Sequence, residues 1–203
     1  MVWGDYSGEL RRAIAAFKYE NQPMLGLPLG QALGETWNQL NRASFKSAKT
    51  LNVGSSSNII AVPIPMHPTK LKQRGFNQAS IIAEAFCKTT GIPLEKRGLQ
   101  RIRDTKAQFS LSAQEREQNL VQAFEPCPRW KRRSPKANIL LIDDIYTTGS
   151  TVKSAAQSLR NIGCTVVGVA AVARPTTTQP PHQTIAKKKP IISSHKSIPH
   201  HHR

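Results

Sequence analysis

The chain has 203 residues, 38% of them apolar, and its 29 Lys/Arg against 12 Asp/Glu give a net charge of +17. That length and apolar share fit one packed domain, with or without a tail, and exclude a wholly disordered chain. The charge favours a polyanion, whether nucleic acid, acidic headgroups or small phosphorylated substrates, and by itself does not choose among them. Cys87, Cys127 and Cys164 are widely spaced, with no Cys-x-x-Cys pair. This supports neither a zinc ribbon nor a disulfide-rich secreted fold. No apolar run approaches the ~20 residues that span a bilayer. Residues 1–6 lack the basic and apolar regions of a signal peptide, so a cytoplasmic protein is the expectation.

In chain order, Leu10, Ile14 and Phe17 recur at helical spacing behind Ser7, a candidate N-cap. Leu29, Leu33, Trp37 and Leu40 predict a second helix after the breakers Pro23, Gly26 and Pro28. A polar connection, 44–57, leads to Asn58–Val62, a short β-branched run that reads as a buried strand. Pro63 and Pro65 deny a ladder two donors, so this strand end is irregular or at a loop. Ile81, Ile82, Ala85 and Phe86 mark a helix closed by Gly91. Residues 101–119 are polar and charged, first loop, then helix from Ser112. Asn138–Ile142 is a second buried strand, 154–162 a helix before Gly163, and Thr165–Ala173 a third strand. Strands buried on both faces and alternating with helices predict an α/β fold with a parallel sheet.

From Pro175 onward the composition changes: five of the 14 prolines, five of the six histidines, Lys187-Lys188-Lys189 and no acid. This stretch reads as a disordered basic tail, in which His200-His201-His202 are solvated rather than metal-binding. Without its five Lys/Arg, residues 1–174 still carry +12. The predicted organisation is an N-terminal helical region over 1–57, a core over 58–174 and a tail over 175–203.

The strongest chemical signal is Ile139-Leu140-Leu141-Ile142-Asp143-Asp144-Ile145-Tyr146-Thr147-Thr148-Gly149-Ser150-Thr151. An apolar strand runs into two carboxylates, then a hydroxyl-rich loop, then a helix. Ligands of parallel sheets bind at the carboxyl ends of strands, and backbone N–H groups at a helix N-terminus favour a phosphate. Two acids beside a phosphate cradle need a counterpart: a sugar with vicinal hydroxyls or a bound Mg²⁺ satisfies them. A lone strand-end Asp would be read as a turn cap, and the doubled acid with its hydroxyl loop argues against that. A P-loop NTPase is excluded because no G-x-x-x-x-G-K-[ST] segment exists.

Asp143–Thr151 resembles the phosphoribosyl-pyrophosphate (PRPP) motif of type I phosphoribosyltransferases. Val62-Pro63-Ile64-Pro65, Arg74-Gly75-Phe76-Asn77-Gln78, the series Leu99, Arg101, Arg103, Thr105, Gln108, Leu111, Arg116 and Asn119, then Ala123-Phe124, and Phe17-Lys18-Tyr19 together resemble the ComF family, linked with DNA uptake by competent bacteria. The resemblance covers roughly residues 6–174. It implies a type I phosphoribosyltransferase fold: a parallel sheet flanked by helices, with an N-terminal helical hood. It implies that Asp143 and Asp144 hold the ribose hydroxyls and, through bound PRPP, Mg²⁺. Thr147, Thr148, Gly149, Ser150 and Thr151 would wrap the 5′-phosphate. The loop Pro63-Ile64-Pro65 would bind pyrophosphate through backbone N–H groups. Arg74, with Lys70 and Lys72, would add charge there or form a solvated basic face. Arg101, Arg103 and Lys106 would form a mobile lid whose cations stabilise the leaving diphosphate. Arg116 and Asn119 would belong to that lid or only anchor the helix behind it. Family members usually carry an N-terminal four-cysteine zinc ribbon, whereas this sequence starts almost at Tyr6-Ser7-Gly8-Glu9-Leu10.

Two functions follow. One is displacement of pyrophosphate from PRPP by an unidentified acceptor, oriented by the hood around Phe17, Lys18 and Tyr19; for Lys18 itself a surface charge is the favoured reading. The other is a non-catalytic PRPP sensor or scaffold that contacts a competence protein or single-stranded DNA. Only three Trp, three Tyr and six Phe are present, and no basic–aromatic interleaving marks a stacking platform. Trp130-Lys131-Arg132-Arg133 reads as a solvated loop.

Overall fold

The computed structural model describes residues 1–47, 58–103 and 123–175, without the side chains of 44–47. The expected polar connection over 44–57 begins later than read, because the second helix runs on to Ser47; its remainder, the expected tail after Pro175 and the helix from Ser112 lie outside the described residues.

Four strands form one parallel sheet in the order β1 (Val2–Asp5), β6 (Thr165–Arg174), β5 (Asn138–Ile145), β2 (Ile59–Pro63). The Leu94 segment bridges the free side of β2 through Ala61, also in parallel. The chain therefore leaves β2 outward to Leu94 and returns on the other side, to β5 and then β6. The β2/β5 boundary is thus the topological switch point, where the carboxyl ends of neighbouring strands leave a crevice.

Both sheet faces are covered, as the unbroken apolar runs require. On one face Ala61, Leu140, Ile142, Ala170 and Val172 pack against Ile14 and Phe17 of α1 (Gly8–Tyr19), Leu29 and Leu33 of α2 (Gly26–Ser47), and Ile82 and Phe86 of α4 (Gln78–Thr90). On the other, Val62, Ile139 and Leu141 meet Ala155, Ala156 and Leu159 of α6 (Ser150–Arg160). The N-terminal helices thus share one core with the sheet, and β1 ahead of them extends the sheet itself.

Gly26 and Pro28 do not interrupt α2. Pro28 falls in the first turn, where its missing N–H costs no helical bond. Gly26, Gly30 and Gly34 recur every four residues and face α4. A Cβ at Gly30 would stand 2.7 Å from Ala85 Cβ and strike the Ile82 carbonyl, and one at Gly34 would stand 2.8 Å from Thr89 Cβ. The glycine stripe is what lets the two helices approach.

Between β2 and α4 lies a short helix absent from the sequence reading, α3 (Pro68–Arg74). The charged stretch at Arg101 also begins as structure: β3 (Leu99–Arg101) pairs antiparallel with β4 (Phe124–Pro126). Trp130 is not in a solvated loop. It is 3% exposed, on α5 (Pro128–Arg132), and packs in the core beside Phe124 and Leu99.

Gly30→Ala is expected to lower stability by about 1–3 kcal/mol, the usual penalty for overpacking. Gly168→Ala, where a Cβ meets nothing within 4 Å, should leave it nearly unchanged. Urea denaturation of both variants checks this; equal midpoints would refute the close-packing role.

Candidate functional site

The strand carrying the two acids runs further than its apolar core. β5 continues to Ile145, with Asp143 opposite Ala171 and Ile145 opposite Ala173 of β6. Asp143 and Asp144 therefore belong to the strand end, fixed by its ladder, and not to the loop beyond. Alternation along β5 puts Asp144 on the face of Leu140 and Ile142, the side covered by α1. There Lys18 Nζ lies 2.6 Å from Asp144 Oδ2, with the two side chains 17% and 14% exposed. Lys18 is thus no surface charge. The remaining carboxylate bonds are local: Asp144 N–H donates to Asp143 Oδ1 at 2.9 Å and Ile145 N–H to Asp144 Oδ1 at 2.7 Å.

Asp143 is pushed up to about 8, first by burial and next by the Asp144 carboxylate beside it; the Asp144 N–H and Lys18 pull the other way. Lys18 pairs with Asp144 and not with Asp143, and the two adjacent acids retain a proton or attract further donors.

The hydroxyl loop follows directly. Gly149 adopts a left-handed φ of 74° at the cap of α6, and a Cβ there would strike the Tyr146 ring, so only glycine fits. Having no side chain, Gly149 leaves the first N–H groups of α6 without a cap from that position. Thr148 Oγ1 donates to Ser150 Oγ at 3.0 Å, tying the loop across its tip.

A cleft of about 300 Å³ opens over the β2/β5 switch point. Its walls include Ile64, Pro65, Arg74, Arg101, Asp143, Asp144, Thr147 and Thr151, together with Lys18, Lys70 and Gln78. Pro63 is the last residue of β2, and Thr148, Gly149 and Ser150 shape the loop without lining the cleft. Arg101 sits on β3 with its guanidinium 5.4 Å from the Phe124 ring centre, and its Nε donates to the Arg103 carbonyl. Arg103 is exposed and does not line the cleft. Lys106, Arg116 and Asn119 lie outside the described residues. Phe17 is fully buried, stacked on Phe76 at 5.5 Å, so of the expected acceptor contacts only Lys18 and Tyr19 reach open space.

The segment after β2 departs from the expected mode of anion binding. Pro63 and Pro65 have no N–H, and the Ile64 N–H donates to the Ile142 carbonyl at 2.9 Å. Residues 63–65 thus offer no free backbone donor, and donors on this wall come from elsewhere. A second, larger groove of about 760 Å³ adjoins the cleft and shares Lys18, Lys70 and Arg74 with it; Lys72 and the 76%-exposed Tyr19 complete its rim.

The family model for the phosphoribosyl transferase domain matches residues 71–202. The chain belongs to this family. Its relatives bear out the resemblance to the ComF type. Competence protein F of Haemophilus influenzae is 29% identical over 86% of this chain and 72% of that protein. DNA utilization protein YhgH of Escherichia coli (strain K12) is 32% identical over 53% of this chain, and competence protein ComFC of Bacillus subtilis 33% over 51%. The chain covers 46% and 39% of the lengths of those two. A solved structure, Leishmania donovani UMP synthase, is similar over 81% of this chain and 24% of that one, at 19% identity and a TM-score of 0.39, too distant to bear on the site.

Of the residues read from the sequence, Asp143, Asp144, Thr147 and Thr151 line the cleft, and so do Lys18, read as a surface charge, and Gln78, given no role of its own. Lys18 carried a signal, since it stood inside the Phe17-Lys18-Tyr19 string that formed part of the resemblance. Among the described residues no helix is long and apolar enough to cross a membrane.

The Asp143 carboxyl binds its proton more tightly in the fold than its ordinary value of 3.8 allows. Its contribution to stability is therefore complete below about pH 4 and is lost as the pH rises to about 8. Urea midpoints of the wild type should carry that decline, and Asp143→Asn, which cannot ionise, should flatten it. Parallel pH profiles for the two would contradict the assignment.

Proposed function

We propose that this chain binds PRPP in the switch-point cleft and transfers its phosphoribosyl group to an acceptor. The observation that carries the reading is the pair Asp143 and Asp144, held on a rigid strand end beside a helix N-terminus whose cap residue, Gly149, has no side chain, in a chain of the phosphoribosyl transferase family. In this reading the two carboxylates accept hydrogen bonds from the vicinal ribose hydroxyls. Thr147, Thr151 and the N–H groups opening α6 hold the 5′-phosphate. Arg101 and the cations Lys70 and Arg74 face the diphosphate. A nucleophile attacks C1 of the ribose, the bond from C1 to the diphosphate oxygen breaks, and pyrophosphate leaves with the electron pair.

The donor set fits magnesium. Mg²⁺ commonly takes one or two carboxylates together with substrate phosphates, and Asp143 and Asp144 offer two without a third acid or histidine to close a protein-only cage among the described residues. When bound, the ion would neutralise charge on the diphosphate. The protein's own part is to orient the ribose with the paired acids and to aim cations where negative charge develops.

The adjoining basic groove favours a second reading, in which the same PRPP site serves a non-catalytic module that contacts single-stranded DNA. The names of the relatives, competence protein F, ComFC and DNA utilization protein, suit either reading with a role in DNA uptake.

Calorimetric titration with PRPP and Mg²⁺ is expected to show magnesium-dependent binding that Asp143→Asn with Asp144→Asn abolishes. Absence of binding by folded wild type would overturn the PRPP reading. A single-stranded oligonucleotide titrated at two salt concentrations separates the readings: salt-steep affinity favours the DNA-contacting module, and none at either concentration discards it.

A further inference from the structure

The Arg74-Gly75-Phe76-Asn77-Gln78 string can be accounted for residue by residue, and one atom is left over. Gly75 takes a left-handed φ of 81° to end α3, its N–H donating to the Leu71 carbonyl at 2.8 Å. Phe76 stacks on Phe17 of α1. Asn77 uses both ends of its amide: Oδ1 caps α4 by accepting from the Ala79 N–H at 3.2 Å, and Nδ2 donates to the Ile64 carbonyl at 3.0 Å. That tether fixes the segment after β2 to the start of α4. Arg74 lies 5.3 Å from the Tyr19 ring centre, and its Nη1 donates to Gln78 Oε1 at 3.0 Å.

Gln78 is 2% exposed, and its Nε2 is the one buried side-chain nitrogen or oxygen among the described residues without a hydrogen-bond partner. A buried donor left unmet is costly and rare. Rotating the amide does not relieve it, because Nε2 would then face the Arg74 guanidinium, donor against donor. Arg74 therefore fixes the orientation, and Gln78 lines the cleft on the wall it shares with Ile64, Pro65 and Lys70. On that wall the backbone at residues 63–65 has no N–H to offer. An orphaned donor beside cations, on a wall where residues 63–65 supply no N–H, calls for an anionic oxygen.

We propose that the side-chain Nε2 of Gln78 donates to an oxygen of the diphosphate arm of the ligand, and that Arg74 positions that amide. The proposal rests on the PRPP reading above and adds a binding residue to it. It replaces the backbone cradle at 63–65 with a side-chain donor on the next helix.

The test uses magnesium pyrophosphate and ribose 5-phosphate as separate calorimetric probes, with PRPP as the reference, on the full chain. Gln78→Ala should weaken pyrophosphate and PRPP about tenfold to a hundredfold, the range of a hydrogen bond to a charged acceptor, and leave ribose 5-phosphate unchanged. Gln78→Glu keeps the acceptor for Arg74, places a negative charge against the diphosphate and should weaken pyrophosphate further, with a melting temperature near that of the wild type. If wild type binds PRPP and both variants bind pyrophosphate as tightly as it does, the proposal fails alone. Equal losses for both probes would mean a structural role and also overturn it. If wild type binds neither PRPP nor pyrophosphate, the PRPP reading falls and this proposal with it.

Discussion

The site depends on one electrostatic constraint: two adjacent carboxylates stand at a strand end, and Lys18 pairs with one of them. Asp143 and Asp144 are held by the β5 ladder and cannot move apart as loop residues would. Alternation sends Asp144 toward α1, where Lys18 meets it, and leaves the buried Asp143 to be neutralised by a retained proton. Such an arrangement is costly by itself, since removing charges from water is repaid only by well-placed partners. A ligand that brings hydroxyl donors relieves it. The ion pair also ties the end of α1 to the sheet, so the N-terminal helices and the cleft are one mechanical unit.

The same economy governs the opposite wall. Prolines at 63 and 65 remove backbone donors, and the Ile64 N–H is spent on β5. Positive charge and hydrogen-bond capacity come instead from α3 and the first turn of α4. Asn77 holds the segment after β2, Phe76 anchors to α1, and Arg74 reaches both the cleft and the adjoining groove. A string of five residues thus joins the helices, the loop and two cavities, which gives a physical reason why those residue types occur together.

Much of the fold was legible because buried parallel strands are unbroken apolar runs, and Asn58–Val62, Asn138–Ile142 and Thr165–Ala173 are such runs. β1 was not, because a four-residue edge strand, Val2–Asp5, has no pattern distinguishable from a terminus. The pairing of β3 with β4 joins residues more than twenty positions apart, beyond the reach of local periodicity. Gly26 and Pro28 were read as breakers because propensity describes an isolated helix, and here a glycine stripe is demanded by α4. In the site, the acids and hydroxyls were legible from their order, an apolar strand run that ends in two acids and a hydroxyl loop. Lys18 was not, because a lysine at a helix end is usually solvated and its partner is set by the face on which Asp144 emerges. Gln78 was hidden for a similar reason: an unmet donor exists only once the packing around it is known.

The side-chain carboxyl ¹³C shifts of Asp143 and Asp144, followed across pH with and without magnesium PRPP, report on this pair of acids directly. Asp143 is expected to titrate near 8 in the free protein and to move downward on addition of magnesium PRPP. Two carboxyls that titrate in the ordinary range and ignore PRPP would contradict this expectation.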